Sequence, residues 1–102
     1  MITAIIPTLN EQDTIAEVIY LVKKSPLVSE IIVVDDKSVD NTVAISKNAG
    51  AIVITSTKLG KGSSMKDGVL VAQNDIIIFL DADITTYPNN IVELMCEPLI
   101  ND

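Results

Sequence analysis

Four short runs of apolar residues, separated by longer segments of mixed polarity, set the strongest limit on what this chain can fold into. Each run is bounded by polar or turn-forming residues and is rich in isoleucine and valine, which suit strands that are covered on both faces of a parallel sheet. The runs cover residues 2–6, 31–34, 51–54 and 76–80. We therefore predict four β-strands.

The segments between these runs carry apolar residues at helical spacing. The first segment follows the i, i+3, i+4, i+7 pattern, with Asn10 or Asp13 available to cap the helix start and the apolar positions at Ile15, Val18, Ile19 and Val22. Further helices are predicted over 41–49, over 63–73, and from Pro88 onward. Gly50 would end the second of the four helices.

Strict alternation of strand and helix implies parallel strands joined by right-handed crossovers. The predicted fold class is therefore α/β, a Rossmann-like sheet with strand order 3-2-1-4. In such sheets ligands bind beyond the carboxyl ends of the strands, near the point where the strand order reverses. The loops at those ends are residues 7–11, 35–42, 56–62 and 81–83.

The composition of the chain limits which molecules it can bind and which chemistry it can perform. The chain has 102 residues, enough for one domain, and its net charge of −7 argues against duplex nucleic acid or an anionic membrane. No apolar run approaches the ~18 residues of a membrane span. The single cysteine, Cys96, indicates a reduced, cytoplasmic setting. Histidine is absent, so any chemistry depends on carboxylates, lysines and hydroxyls.

Two carboxylates follow the last apolar run. Asp81 and Asp83 are two residues apart, a spacing that in extended backbone turns both side chains the same way. Together they could hold Mg²⁺ or Mn²⁺, ions that proteins usually bind through one or two carboxylates and substrate phosphates. The alternative is a pair of solvated loop aspartates, with Asp83 capping a following turn.

The segment "DDKSVDNT" at 35–42 also allows two interpretations. Asp36, Ser38 and Asp40 could form a turn followed by a helix cap, the usual role of such residues. Alternatively, a carboxylate fixed by that turn could accept a hydrogen bond from a nucleobase N–H or a ribose hydroxyl. We assign the cap to Asp40 and leave both roles open for Asp36.

The segment "LGKGSSMKDG" at 59–68 suggests a phosphate-binding loop, because glycines let backbone N–H groups approach an anion and Lys61 adds positive charge. It is not a Walker motif, since Thr55 replaces the first glycine and Gly62 replaces the hydroxyl residue after the lysine. A flexible loop leading into a helix is the alternative.

Taken together, "AIIPTLNE", "IIVVDDKSVDNT", "GKG" and "IIIFLDAD" resemble, in order and spacing, the nucleotide-binding half of family 2 glycosyltransferases of GT-A fold. Polyprenyl-phosphate sugar transferases and glucosyl-3-phosphoglycerate synthases show the greatest resemblance. The resemblance covers essentially the whole chain. It implies a glycosyltransferase that binds a UDP- or GDP-sugar donor through Mg²⁺ or Mn²⁺ and a DxD motif, and transfers the sugar to an unknown acceptor.

The resemblance also implies residue roles. Asp83 would hold the metal, and Lys61 would neighbour the base or the diphosphate. Asp81, with Ala82 beside it, would approach the ribose. The nucleoside pocket would be lined by Pro7, Thr8, Leu9, Glu11 and Asp36.

In such enzymes the acceptor site and any general base lie in a second half that residues 1–102 do not supply, so we name no catalytic residue. We expect a truncated donor-binding domain with an open sheet edge that makes it a homo-oligomer. Two alternatives rest on fold analogy: a nucleotidyltransferase of similar sheet, and a receiver-type phospho-acceptor signalling domain. The first would need a glycine-rich loop after its first strand, and the second an acid pair at that position.

Overall fold

The computed structural model describes the backbone of residues 1–100 and the side chains of residues 1–97. Strands and helices alternate throughout this range. The strands are β1 (Ile2–Thr8), β2 (Val28–Asp35), β3 (Ile52–Thr55) and β4 (Ile76–Phe79). The helices are α1 (Ile15–Lys23), α2 (Thr42–Asn48), α3 (Lys61–Val71) and α4 (Ile91–Ile100). None of the helices in this range is long and apolar enough to cross a membrane.

The four strands form one parallel sheet in the order β3-β2-β1-β4, which confirms the predicted fold class and strand order. β1 lies in the middle, where Ile5 pairs with Ile32 on one side and with Phe79 on the other. The apolar run of β1 is fully buried, as a strand covered on both faces requires. Because all strands run the same way, their carboxyl ends meet at one edge.

The two faces of the sheet are covered unequally. Helices α1, α2 and α4 cover one face and enclose the larger core, which includes Cys96. Burial raises the pKa of the Cys96 thiol, and the side chain acts as a small core residue. Only α3 covers the other face within the described residues, over Ile5, Ile32 and Val34.

Close packing fixes the position of α3. A Cβ atom on Gly68 would lie 2.7 Å from Ile5 Cγ2 and 3.2 Å from Val34 Cγ2, so any larger residue would force its neighbours to shift. The glycine lets the helix backbone rest directly on β1 and β2. The first residue of α3, Lys61, is thereby held at the carboxyl edge of the sheet.

Several predicted helix boundaries were wrong by a few residues. α4 begins at Ile91, because Pro88 forms a turn in which its carbonyl accepts the Ile91 amide at 3.0 Å. α3 begins at Lys61, two residues before the predicted start. α1 is preceded by Thr14 at the N-cap position, not by Asn10 or Asp13. Gly50, with φ of 97°, ends α2 as predicted.

Candidate functional site

A cleft of about 280 Å³ lies at the carboxyl edge of the sheet. Its lining includes all nine residues that the sequence assigned to the site, together with two that it did not assign, Gly60 and Ser64. Ser64 lies one helical turn after Lys61, so the helical pattern itself could have indicated it. The nine are Pro7, Thr8, Leu9, Glu11, Asp36, Lys61, Asp81, Ala82 and Asp83.

Pro7 separates β1 from β4 at the cleft. Pairing between these strands ends where Leu80 N donates to Ile5 O at 3.1 Å. Pro7 lies two residues further along β1, so its missing N–H faces the side where β4 has already ended. A proline is tolerated in this central strand for that reason, and it leaves room between the two strand ends.

The loops that follow β1 and β2 are joined by reciprocal hydrogen bonds. Asn10 N donates to Ser38 Oγ at 2.8 Å, and Val39 N donates to Asn10 Oδ1 at 2.9 Å. Asn10 has φ of 54°, a left-handed conformation that asparagine adopts more readily than most residues. Glu11 N donates to Thr42 Oγ1 at 2.8 Å. These bonds fix the side of the cleft that Leu9 and Glu11 form.

Asp35 holds together the ends of β1 and β2 beneath these loops. It is only 3% exposed, and it accepts hydrogen bonds from Thr8 Oγ1 at 3.1 Å, Ser38 N at 2.9 Å and Ser38 Oγ at 2.6 Å. The turn that was one of two interpretations for Asp36 is therefore made by Asp35. Asn41, not the predicted Asp40, occupies the N-cap position of α2, although Asp40 accepts the Thr42 amide at 2.9 Å. The hydrogen bond that the Thr42 hydroxyl donates lowers the pKa of Asp40.

Asp36 is left with accepting capacity. Its Oδ2 accepts the Gly60 amide at 3.1 Å, a bond that links the β2 end to the start of α3. Within residues 1–97, its Oδ1 is the buried side-chain atom without a hydrogen-bond partner. A buried carboxylate oxygen left unpaired is unfavourable, so a donor from a ligand in the cleft would stabilise it.

Lys61 and Asp81 both line the cleft and contact each other there. Their side chains form an ion pair and are 61% and 38% exposed, respectively. The hydrogen bond that Lys61 Nζ donates to Asp81 raises the pKa of the Lys61 ammonium, which stays charged at neutral pH. Gly60, with φ of 105°, provides the left-handed backbone that leads into α3.

Asp81 and Asp83 both line the cleft, although residues 82 and 83 form a turn and not the extended backbone that the spacing suggested. Burial raises the pKa of Glu11, and the negative charges of Asp83 and Asp40 raise it further. This part of the cleft is therefore electronegative. No group of three potential metal ligands occurs among the described residues. Two carboxylates nevertheless suit a Mg²⁺ or Mn²⁺ ion that shares a phosphate-bearing ligand.

Comparison with known protein families decides between the glycosyltransferase prediction and its two alternatives. The model for glycosyl transferase family 2 matches residues 3–101. The chain belongs to glycosyl transferase family 2. This confirms the predicted family and favours it over the nucleotidyltransferase and receiver alternatives.

Two relatives illustrate how this family 2 chain aligns. A glucosyl-3-phosphoglycerate synthase of Petrotoga mobilis is 34% identical over 93% of this chain and 33% of its own length. An uncharacterized glycosyltransferase of Rickettsia felis is 43% identical over 80% of this chain and 28% of its own length. The chain thus spans about a third of the length of these relatives.

Solved structures of a similar protein share the fold. Glucosyl-3-phosphoglycerate synthase from Mycobacterium tuberculosis in complex with UDP superposes with a TM-score of 0.92 at 28% identity, covering 100% of this chain and 40% of that one. The same enzyme with Mn²⁺, UDP and glucosyl-3-phosphoglycerate gives a TM-score of 0.88 at 30% identity, covering 98% and 39%. A complex with Mg²⁺ and UDP is also similar, with a TM-score of 0.90.

Proposed function

We propose that residues 1–102 form the donor-binding domain of a glycosyltransferase that takes a UDP-sugar through a divalent cation and transfers the sugar to an acceptor. The observation that carries this proposal is that one cleft at the sheet edge is lined by all nine predicted residues. Relatives of the same fold bind UDP with Mn²⁺ or Mg²⁺, which supports the choice of nucleotide and metal.

The nucleoside would lie on the side of the cleft that Pro7, Thr8, Leu9, Glu11 and Asp36 line. This side is fixed by the hydrogen bonds between the loops after β1 and β2. The unpartnered Asp36 Oδ1 can accept a hydrogen bond from a base N–H or a ribose hydroxyl. Asp36 would therefore contribute to nucleoside affinity whether or not a metal is present.

The diphosphate would lie on the other side, near Lys61, Asp81, Ala82 and Asp83. Asp83 would hold the metal, with Asp81 closer to the ribose. A divalent cation, when bound, would neutralise the charge that develops on the leaving diphosphate. Lys61 would add a point charge beside it. This arrangement explains how a chain of net charge −7 can bind an anion.

Titration calorimetry of UDP and GDP, with and without Mn²⁺, tests the proposal. We expect UDP to bind and Mn²⁺ to strengthen its binding. In the unmodified chain we expect Mn²⁺ to raise UDP affinity at least about tenfold, which corresponds to ~1.4 kcal/mol. Asp83→Ala should abolish this effect of the metal. Asp36→Ala should weaken UDP binding equally with and without metal.

The control is Asp75→Ala, which removes an exposed aspartate just before β4, at the opposite end of that strand from the cleft. It should leave both affinities unchanged. Absence of UDP binding in the presence of Mn²⁺ would contradict the proposal. Tighter binding of GDP than of UDP would contradict the choice of nucleotide. Equal loss of the metal effect in Asp83→Ala and Asp36→Ala would contradict the division of roles.

Sugar transfer needs more than the donor cleft. General-base catalysis typically contributes ~10²–10⁴-fold, and orientation of the acceptor contributes further. The chain covers only 33% of the Petrotoga mobilis relative. We expect the isolated 102-residue chain to bind donor without transferring sugar to an acceptor. Measurable turnover by the purified chain, followed as UDP release, would contradict this expectation.

The outer edge of β4 supports a proposal of self-association. Among the described residues, β4 pairs with β1 alone, and an unpaired strand edge is a template for another chain. Ile77 and Phe79 lie on the thinly covered face beside that edge. We expect a homo-oligomer, which a monomeric profile in analytical ultracentrifugation would contradict.

The cytoplasmic location stays a prediction.

A further inference from the structure

The backbone that carries Asp81 and Asp83 leaves the sheet at Leu80, so its polar groups need partners outside the strand ladder. Two side-chain hydroxyls provide them. Tyr87 Oη accepts the Asp81 amide at 3.0 Å, and Thr14 Oγ1 donates to the Ala82 carbonyl at 2.7 Å. Each bond fixes the backbone at or next to one of the two carboxylates.

Thr14 Oγ1 makes this hydrogen bond instead of the helix-capping bond that is usual at its position. It occupies the N-cap position of α1, where a threonine hydroxyl usually accepts a hydrogen bond from a free helix amide. Here the hydroxyl reaches a carbonyl that is 68 residues further along the chain. Thr14 is itself held by the Glu11 carbonyl, which accepts its amide at 3.1 Å, and by Val18, whose amide donates to its carbonyl at 3.3 Å. Its position is therefore well determined.

Tyr87 is equally well placed. Its side chain packs against the larger core, which fixes where the hydroxyl lies. Ala82 is buried, so the carbonyl that Thr14 satisfies would otherwise be poorly solvated. The two hydroxyls thus hold the short Asp81–Asp83 segment from two directions, at a place where no sheet hydrogen bond is available to do so.

We propose that Tyr87 and Thr14 are positioning residues that set the affinity of the Asp81–Asp83 segment for the divalent cation. The inference rests on the proposed function. Rotation of the peptide groups on either side of Ala82 would change the separation of the two carboxylates. Metal sites tolerate only small errors in ligand placement, and loss of a supporting hydrogen bond typically costs ~10–100-fold in metal affinity.

The test uses Mn²⁺ itself as the probe, with free Mn²⁺ followed by electron paramagnetic resonance in the presence of saturating UDP. We expect Tyr87→Phe to weaken Mn²⁺ binding on the order of tenfold. The matched control is Tyr20→Phe, since Tyr20 is the other tyrosine, lies on α1 and is 53% exposed. The control should bind Mn²⁺ like the unmodified chain.

Thr14 provides a second, independent pair of variants. Thr14→Val removes the hydroxyl and should weaken Mn²⁺ binding, whereas Thr14→Ser retains the hydroxyl and should restore it. The UDP affinity measured by calorimetry without metal should change much less than Mn²⁺ binding in these variants, because neither Tyr87 nor Thr14 lines the cleft and the Asp36 side is untouched.

Three results would contradict these expectations. Unchanged Mn²⁺ affinity in both Tyr87→Phe and Thr14→Val, with metal still strengthening UDP binding to the unmodified chain, would overturn the inference alone. An equal loss of metal-free UDP binding would show a general structural role and would also overturn it. An unmodified chain whose UDP affinity is independent of Mn²⁺ would overturn the proposed function, and this inference with it.

Discussion

The two sides of the cleft are built differently. The loops after β1 and β2 are joined to each other by buried or reciprocal hydrogen bonds, centred on Asp35 and Asn10. On the other side of the cleft, Lys61 and Asp81 form an ion pair between side chains that are 61% and 38% exposed. The first side is formed before a ligand arrives, which suits recognition of an uncharged nucleoside. The second side places the positive charge of Lys61 beside two carboxylates, which suits the proposed ion and diphosphate.

The largest expected effect tests how far the first side depends on Asp35. Asp35→Ala removes the acceptor for three hydrogen bonds and leaves a buried donor at Thr8 and half-buried donors at Ser38 unpaired. We expect the free energy of unfolding to fall by about 3 kcal/mol, measured by urea denaturation. The neighbouring Asp36→Ala should cost less than about 1 kcal/mol, because it loses one bond and removes an unpaired buried oxygen. Similar losses in the two variants would contradict the comparison.

A smaller effect is expected at the link between the two loops. Asn10→Ala loses the bond to the Val39 amide and places alanine at φ of 54°, so the expected cost is about 2 kcal/mol. Asn10→Gly loses the same bond but tolerates the backbone angle, and should cost about 1 kcal/mol. The difference between the variants, from urea denaturation, separates strain from hydrogen bonding. Equal stability of both would show that the left-handed conformation is not retained.

The sheet and the position of the cleft were predictable because they follow from strong, repeated signals. Apolar runs alternate with helical spacing, parallel strands need crossovers, and all strand ends then meet at one edge. The start of α4 was less predictable. Pro88 suits a first helical position, but its carbonyl closes a turn with Ile91 before the helix begins. A local signal for a helix start does not fix the exact residue.

Adjacent aspartates give the same signal in sequence and acquire different roles from strand geometry. Side chains alternate along β2, so Asp35 shares the face of Val33, under α1 and α2, and becomes buried. Asp36 shares the face of Val34, where Gly60 at the start of α3 meets it. The sequence did not show which face α3 would cover. It also gave no local sign of the Thr14 bond to Ala82, which joins distant segments.

Lys61→Met tests the second side of the cleft. Exposed ion pairs contribute little to stability, so the free energy of unfolding should change by no more than ~0.5 kcal/mol. The affinity for UDP should nevertheless fall, because the positive charge that we propose to lie beside the diphosphate is lost. Calorimetry and urea denaturation of the same variant give both values. A loss of stability as large as that of Asp35→Ala would mean that both sides are equally fixed before binding.

The smallest expected effect concerns the contact that holds the β3–α3 loop, which leads to Lys61. Asp67 Oδ2 accepts the Thr57 amide at 2.7 Å, and this bond, followed by that from the Thr57 hydroxyl, lowers the pKa of Asp67 from its ordinary 3.8. A lowered carboxyl pKa means that the charged form of Asp67 stabilises the folded state above pH 3.8. This stabilisation disappears as the pH falls through the pKa of the folded state.

Asp67→Asn should therefore be less stable than the unmodified chain at neutral pH, with a difference that shrinks below pH 3.8. Thr57→Val serves as the control, because it keeps the amide bond and should retain most of the pH dependence. Urea denaturation midpoints across the acid range measure the difference, and a constant difference at all pH values would show that the Asp67 charge does not hold this loop.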